Sequence, residues 1–387
     1  MSATRVPFLS LAPGEDADAI RIAIDRVVTR GWFVLGPEVE HFESAFAAAM
    51  GASHAIGVGT GTDALTLILR ALGVGAGDEV VTTPLSAAYT ALAITMVGAR
   101  PVFADIDPAR FTIDPAQIEA AIGPRTRALL PVHLYGQAAD MAAIERLARR
   151  YHLPVVEDCC QAHLATAAGR PVGTIGIAGA FSFYPTKNLG ALGDAGAVIT
   201  NDAALAARIR RLRNGGQTDR YHHEELGCNS RLDEMQAAIL SVRLARLNDW
   251  TARRRQLARK YRQAIAGGPV DLPVECDAGH VYHLFVVRSR DRSRLQASLT
   301  AQGVETLVHY PIPIPRQPAF AAFAPAACPT AARICESSSI TQTSEAFSEA
   351  PGEGLGVIGA PSAAAARTEI LPSALIGAHA QYTSLPG

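Results

Sequence analysis

His54-Ala55-Ile56-Gly57-Val58-Gly59-Thr60-Gly61-Thr62-Asp63-Ala64-Leu65 carries the fold. The apolar run at 54–58 has the length of a buried strand, and the glycine-rich turn at 59–62 opens a segment with helical spacing. The alternation repeats: short runs at 79–82, 101–104, 127–132 and 154–157 are interleaved with helical patterns at 63–72, 88–97 and 139–151. Strands that alternate with helices predict a mostly parallel sheet covered on both faces. Further runs at 179–183 and 196–200 extend it.

Upstream, Ile20, Ile24, Val27 and Val28, and after a Gly-Pro turn Val39, Phe42, Phe46 and Met50, have helical spacing, so residues 1–50 read as an N-terminal arm with two amphipathic helices. Residues 51–245 form the large domain. Downstream, 231–265 reads as one or two long helices carrying Leu232, Ala238, Leu240, Leu244 and Leu247, which lead into a small α+β domain at 246–336. A strand at 284–287, a helix over 291–302 and an extended stretch at 306–309 make up that domain. In 337–387 Arg367 is the only arginine or lysine, and Pro, Gly, Ser and Ala recur without period, so this tail reads as weakly ordered.

A chain of 387 residues has room for two or three domain-sized units and a large core. With 35 basic against 36 acidic residues, no global charge points to a nucleic-acid or acidic-membrane partner. The six cysteines lack metal-ligand spacing, and the adjacent pair Cys159-Cys160 is poorly placed for a bridge, which predicts reduced thiols, no metal centre and a cytoplasmic protein. The N-terminus lacks an apolar signal core and no uninterrupted apolar stretch is long enough to span a bilayer.

Of the 35 lysines and arginines only Lys187 and Lys260 are lysine. Lys260 follows Arg253-Arg254-Arg255-Gln256-Leu257-Ala258-Arg259, a solvated helix face. Lys187 sits in Phe181-Ser182-Phe183-Tyr184-Pro185-Thr186-Lys187-Asn188-Leu189-Gly190. An amine that must lose its proton and attack a carbonyl cannot be replaced by a guanidinium, so Lys187 points to Schiff-base chemistry. Val155-Val156-Glu157-Asp158 has the form of a buried strand ending in carboxylates, where doubly wound sheets gather ligands. A carboxylate there can keep a pyridine nitrogen protonated, although a strand-terminal Asp is more often a cap or turn residue. The turn at Gly59-Thr60-Gly61-Thr62 opens a helix whose free N–H groups suit a phosphate, and it matches neither the dinucleotide fingerprint nor a Walker loop.

In order along the chain stand Gly61-Thr62-Asp63-Ala64-Leu65, Val132-His133-Leu134-Tyr135-Gly136-Gln137, Glu157-Asp158-Cys159-Cys160-Gln161-Ala162-His163, the Lys187 segment, Gly227-Cys228-Asn229-Ser230-Arg231 and His309-Tyr310-Pro311. This set resembles the DegT/DnrJ/EryC1/StrS family of pyridoxal-phosphate-dependent sugar aminotransferases, from about Val6 to about Glu336. The resemblance implies the aspartate-aminotransferase fold, an α/β large domain with a mostly parallel mixed sheet plus the small C-terminal domain, and a homodimer with shared active sites. It also implies pyridoxal 5'-phosphate on Lys187, which serves as anchor and then as base. Asp158 would face the pyridinium nitrogen and Gln161 the phenolic oxygen. Gly61, Thr62 and Ser182 would hold the phosphate, with Asn229 reaching in from the partner subunit, and His309 and Tyr310 would line the substrate pocket.

Two stretches depart from the family pattern. Pro84-Leu85-Ser86-Ala87-Ala88-Tyr89-Thr90 is one residue short where the family stacks an aromatic on the cofactor; the slot falls on Ala87 or Ala88, and either Tyr89 supplies the ring by a local shift or an aliphatic contact covers the face. After Cys328-Pro329-Thr330-Ala331-Ala332-Arg333-Ile334-Cys335-Glu336 the family's closing elements give way to 337–387, which suggests a reading-frame change near Glu336 and an incomplete small domain. The activity expected is transfer of an amino group from glutamate or glutamine to a keto group of a nucleotide-linked deoxysugar. Gly31-Trp32-Phe33-Val34-Leu35-Gly36-Pro37 leans toward 3-keto-6-deoxy substrates. The alternatives are a cyclitol aminotransferase, a non-catalytic regulator and a relative disabled by its tail; a sugar 3-dehydratase, which lacks the lysine, is disfavoured by Lys187.

Overall fold

The computed structural model describes residues 5–268, 270–323 and 327–342. Its centre is one sheet, made of a four-stranded and a three-stranded part joined by parallel bridges at Leu129–Val155 and Val132–Asp158. Read across, the strands are Arg100–Phe103, Glu79–Thr82, Thr126–Leu130, Val156–Asp158, Ala178–Ser182, Gly196–Thr200 and His54–Val58. Gly196–Thr200 runs antiparallel to both neighbours, whereas the pairings among the other strands are parallel. The sheet is therefore mixed. His54–Val58, Val156–Asp158 and Ala178–Ser182 point the same way, so their carboxyl ends lie along one edge.

Period-two alternation decides what each face buries. In Ala178–Ser182 and the residue after it, Phe181 and Phe183 pack with Phe42 and Phe46 of the helix Pro37–Met50, edge-on at 5.2–5.3 Å between ring centroids. Ala178 and Ala180 face the helix Gly61–Ala71, whose Leu65 and Leu69 are fully buried against them. Ser182 shares the face of Ala180 and so looks toward the start of that helix. The small alanines let the helix approach; the phenylalanines fill the opposite layer.

The two N-terminal helices are Ala17–Arg30 and Pro37–Met50. In the first the buried face is Ile20, Ala23 and Val27, while Val28 lies on the exposed side. The second begins on the buried carboxylate of Glu234, which accepts hydrogen bonds from the N–H groups of Gly36, Glu38 and Val39 at 2.8, 2.9 and 3.0 Å. An anion at a helix N-terminus satisfies donors that the helix itself leaves open. Glu234 also begins the helix Glu234–Leu244, capped by Asp233 and followed by Leu247–Ile265, so the expected long helical stretch is two helices.

The C-terminal unit is a three-stranded antiparallel sheet of Phe285–Arg288, Ser338–Gln342 and Leu307–Val308, with Ser338–Gln342 in the middle. The helices Arg292–Ala301 and Pro329–Ser337 accompany it. Its ordered elements therefore continue past Glu336: the backbone of Ser338–Gln342 supplies the hydrogen bonds that the two flanking strands need. The remainder of the atypical tail, 343–387, lies outside the described residues. The N-terminal arm joins this unit as well, through a parallel bridge between Val6 and Val304.

Candidate active site

Three segments meet at the carboxyl edge of the sheet. Parallel pairing sets Asp158 beside Ala180, two residues before Ser182. The first strand ends at Val58, and Thr60 caps the helix that follows, its Oγ1 accepting from the Asp63 N–H at 3.0 Å. The first helical bond runs from Ala64 to the Thr60 carbonyl at 3.0 Å, so the N–H groups of Gly61 and Thr62 precede the ladder. The turn lies against the strand edge because the chain crosses there without a side chain: a Cβ on Gly61 would stand 2.7 Å from Ser182 Cβ and 2.8 Å from Cys160 Sγ. A Cβ on Gly196 would stand 2.4 Å from the Thr60 carbonyl. Ser230, buried, locks the turn by accepting from Gly59 N–H at 2.9 Å and donating to Asp63 at 2.7 Å.

Asp158 is 4% exposed. Its Oδ2 accepts from Thr90 Oγ1 at 2.7 Å and its Oδ1 from the Cys160 N–H at 3.1 Å. No cation is hydrogen-bonded to it among the described residues, and a carboxylate has about four acceptor positions, so capacity remains for a charged N–H. Burial holds the Lys187 ammonium below the ordinary lysine value, against the opposing influence of the nearby Asp158 carboxylate. Burial raises the Cys160 thiol well above its usual value, so that side chain stays neutral beside them.

Lys187 is held from its backbone. Its N–H donates to the Tyr184 carbonyl at 2.8 Å, and the next residue, Asn188, is buried with both ends of its amide engaged. Arg243 closes the segment by donating to the Gly190 carbonyl at 2.6 Å while pairing with Asp16 at 2.7 Å.

Gln161 is fixed by two tyrosines. Its Oε1 accepts from the Tyr135 N–H at 2.8 Å and its Nε2 donates to the Tyr310 hydroxyl at 3.0 Å, which leaves the second amide proton unspent. Tyr135 sends its own hydroxyl to the His309 carbonyl at 2.5 Å. Burial pushes the Tyr310 hydroxyl up to about 12, and burial followed by the nearby charge of Lys187 holds His309 below its ordinary value. The His309 ring stacks on Phe8 at 5.8 Å. His309, Tyr310, Gln161, Asp158 and Lys187 thus belong to one neighbourhood, as do Gly61, Thr62 and Ser182 on its other side.

Two of the expected residues stand apart. Tyr89 is 64% exposed at the first position of the helix Tyr89–Met96, and it is Thr90 that touches Asp158. Asn229 is exposed and bridges to Asn214, while its neighbour Ser230 is the one turned to the 59–63 turn. The sequence reading missed Thr90 and Tyr135. A hydroxyl closing the short stretch at 84–90 was a signal for the first; the positive φ of Tyr135, 58°, leaves no sequence trace.

Beneath the site, His133, Glu157 and Cys159 bring metal-ligand atoms within 4.8 Å of one another. Their bonding capacity is spent. Glu157 accepts from His133 Nε2 at 3.0 Å and from the N–H groups of Gly173, Ile175 and Gly176 at 2.7–2.8 Å. His133 Nδ1 accepts from Ala139 N–H at 3.1 Å, which assigns the ring proton to Nε2. Burial, reinforced by Glu157 and Asp158, keeps the Cys159 thiol protonated. The cluster ties the Val156–Asp158 strand to the loop at 173–176.

A desolvated amine on a half-buried lysine, a buried carboxylate with spare acceptor capacity and an open helix N-terminus form a donor set that fits a ligand combining an aldehyde, a protonatable ring nitrogen and a phosphate. Comparison with known proteins agrees with that chemistry. A transaminase of Streptomyces venezuelae named for dTDP-3-amino-3,4,6-trideoxy-α-D-glucose is 50% identical over 325 residues, covering 83% of this chain and 86% of the relative. A dTDP-3-amino-3,6-dideoxy-α-D-galactopyranose transaminase of Aneurinibacillus thermoaerophilus is 48% identical over 81% of this chain and 88% of its own. The crystal structure of S. venezuelae DesV in complex with a ketimine intermediate superposes with a TM-score of 0.85 at 43% identity, covering 99% of this chain and 100% of that one. The profile of the DegT/DnrJ/EryC1/StrS aminotransferase family matches residues 15–350, and the chain belongs to that family.

Proposed function

We propose that this aminotransferase moves an amino group from glutamate or glutamine to the 3-keto group of a nucleotide-linked 6-deoxysugar, with pyridoxal 5'-phosphate as its cofactor. The observation that carries the reading is the desolvated amine of the half-buried Lys187 close to the buried Asp158, with the helix N-terminus at Gly61 and Thr62 packed against Ser182. When bound, the cofactor supplies an aldehyde that holds amines and a ring that accepts electrons. The chain supplies everything else. Asp158 keeps the ring nitrogen protonated, Thr90 and the Cys160 N–H hold that carboxylate in place, and the N–H groups of Gly61 and Thr62 with the Ser182 hydroxyl hold the phosphate. Gln161 has an amide proton left for the phenolic oxygen.

Lys187 would anchor the cofactor through its amine. Its Nζ, whose charged form burial disfavours, would accept the α-proton of the donor and would return a proton when the ketosugar takes the donor's place. His309 and Tyr310, linked to the cofactor end through Gln161 and Tyr135, line the entrance for the sugar. The 3-position follows from the names of the two transaminases above, both 3-amino sugars. The exposed Asn229 and the exposed Trp32, Phe33 and Val34 fit a homodimer in which Asn229 completes the partner's phosphate site. No helix among the described residues is long and apolar enough to cross a membrane.

The test is to incubate the purified protein with pyridoxal phosphate, glutamate or glutamine, and a panel of 3-keto and 4-keto dTDP-6-deoxysugars and keto-cyclitols, following aminated product by mass spectrometry. Amination of 3-keto sugars is expected. Amination of cyclitols alone, or of nothing while the cofactor is bound, overturns the reading.

A further inference from the structure

Residues 281–284, the last before the C-terminal strand Phe285–Arg288, cross beside the lysine segment at Asn188. This strap is bonded on every side. Val281 N–H donates to the Gly136 carbonyl at 3.0 Å and Leu284 N–H to the Tyr135 carbonyl at 3.4 Å, the same Tyr135 whose N–H holds Gln161. Arg254 Nη1, buried, donates to the carbonyls of Tyr282 and His283 at 3.1 and 3.3 Å. The remaining bonds go to Asn188. Its Nδ2 donates to the Val281 carbonyl at 3.1 Å, and its Oδ1 lies 3.1 Å from His283 Nδ1.

These contacts assign every proton in the pair. A carbonyl can only accept, so the Asn188 nitrogen faces Val281 and its oxygen faces His283; the His283 Nδ1 must then carry a hydrogen. Burial, and then the positive charges of Lys187 and Arg254, hold His283 well below its ordinary value, so the ring is neutral with its proton on Nδ1. Asn188 is 1% exposed and His283 4% exposed. The residue before Asn188 is Lys187, pinned at its own N–H to Tyr184.

We infer that His283 is a positioning residue for Lys187: through Asn188 it ties the lysine segment to the strap, so the place of the reactive amine beside Asp158 is set by the passage into the C-terminal unit. The inference rests on the reading of Lys187 as the cofactor's anchor. It assigns a role to a histidine that touches neither Asp158 nor the phosphate cradle. Loss of one buried hydrogen bond, with the Asn188 oxygen left unpaired, lowers the rate of covalent capture by about tenfold or more.

The experiment uses apo-protein and pyridoxal phosphate. The rate at which the visible band appears, the pH midpoint of that band, and the borohydride-trapped adduct on Lys187 are measured for the wild type, His283→Leu, His283→Asn and Asn188→Ala, with circular dichroism reporting folding. His283→Leu and Asn188→Ala should capture about tenfold more slowly with a shifted midpoint, while His283→Asn, which keeps a donor close to the Nδ1 position, should stay within about threefold of wild type. A folded His283→Leu or Asn188→Ala protein with wild-type rate and midpoint overturns the inference. So does an equal loss in His283→Asn and His283→Leu, since packing would then account for the effect. If the wild type itself traps no adduct, it is the cofactor assignment that fails.

Discussion

Thr90 Oγ1 donates a 2.7 Å hydrogen bond to Asp158 Oδ2, and both residues are buried. The hydroxyl stabilises the ionised carboxylate without adding a cation that would compete for it. A hydrogen bond to a charged group contributes about 1.5–3 kcal/mol, so Thr90→Val should lower kcat by about 10- to 100-fold with little change in the donor's KM. Thr90→Ser restores most of the rate. Asp158→Asn, which cannot favour a protonated ring nitrogen, should be slower still. Equal kcat values for Thr90→Val and wild type would remove Thr90 from the site.

Lys187→Arg keeps a positive charge but removes the nucleophile and the proton carrier. Transamination should fall by at least about a thousandfold, the order of a lost general base combined with a lost anchor. The circular dichroism spectrum should be retained. Turnover within tenfold of wild type would show that another group does the work assigned to Lys187.

The cradle at Gly61 is a matter of a single carbon atom. Gly61→Ala places a Cβ 2.7 Å from Ser182 Cβ and 2.8 Å from Cys160 Sγ, so either the helix start or the strand edge must move. Overpacking of this kind costs about 1–3 kcal/mol. Fluorescence titration of apo-protein should show cofactor affinity weakened about tenfold or more, with a lowered Tm, whereas unaltered affinity would separate this turn from phosphate binding.

His163 is fully buried between Phe181 and Phe183, at 5.4 and 5.6 Å between ring centroids, and its ring nitrogens make no hydrogen bond among the described residues. Burial lowers its pKa from 6.5 to about 3. The unfolded chain therefore binds a proton that the folded chain refuses. The stability this group leaves intact is full above pH 6.5 and is lost as the pH falls toward 3, at about 1.4 kcal/mol per pH unit for this one site. His280, also lowered to about 3 by burial, adds in the same direction. Chemical denaturation from pH 7 to pH 4 should show His163→Leu less acid-sensitive than wild type by about one proton. An identical slope in the two proteins rejects the assignment.

Much of this architecture was legible in periodicity. The run at 54–58, the helix opened by the glycine turn and the strand ending at Asp158 fall where alternation places them, because an apolar run and an amphipathic stripe are local properties. Strand direction was not legible. Gly196–Thr200 reads the same forwards and backwards as a buried strand, and only its hydrogen bonds to both neighbours reveal that it is reversed. Ser338-Ser339-Ile340-Thr341-Gln342 carries too weak a pattern to announce a strand; it becomes one because two strands distant in sequence lack a partner between them. The bridge from Val6 to Val304 is of the same kind.

For the site, residue chemistry alone singled out Lys187 and Asp158, since a lysine kept in an arginine-rich chain and an acid at a strand end are statements about which reactions a side chain can perform. What holds them was decided by the folded chain. Thr90 on Asp158, Tyr135 on Gln161 and His283 on Asn188 are bonds between residues far apart in sequence. Their geometry exists only once the sheet has aligned its carboxyl ends along one edge. Side-chain type sets what an atom can do; burial and distance, which are properties of the packed molecule, set whether it does so.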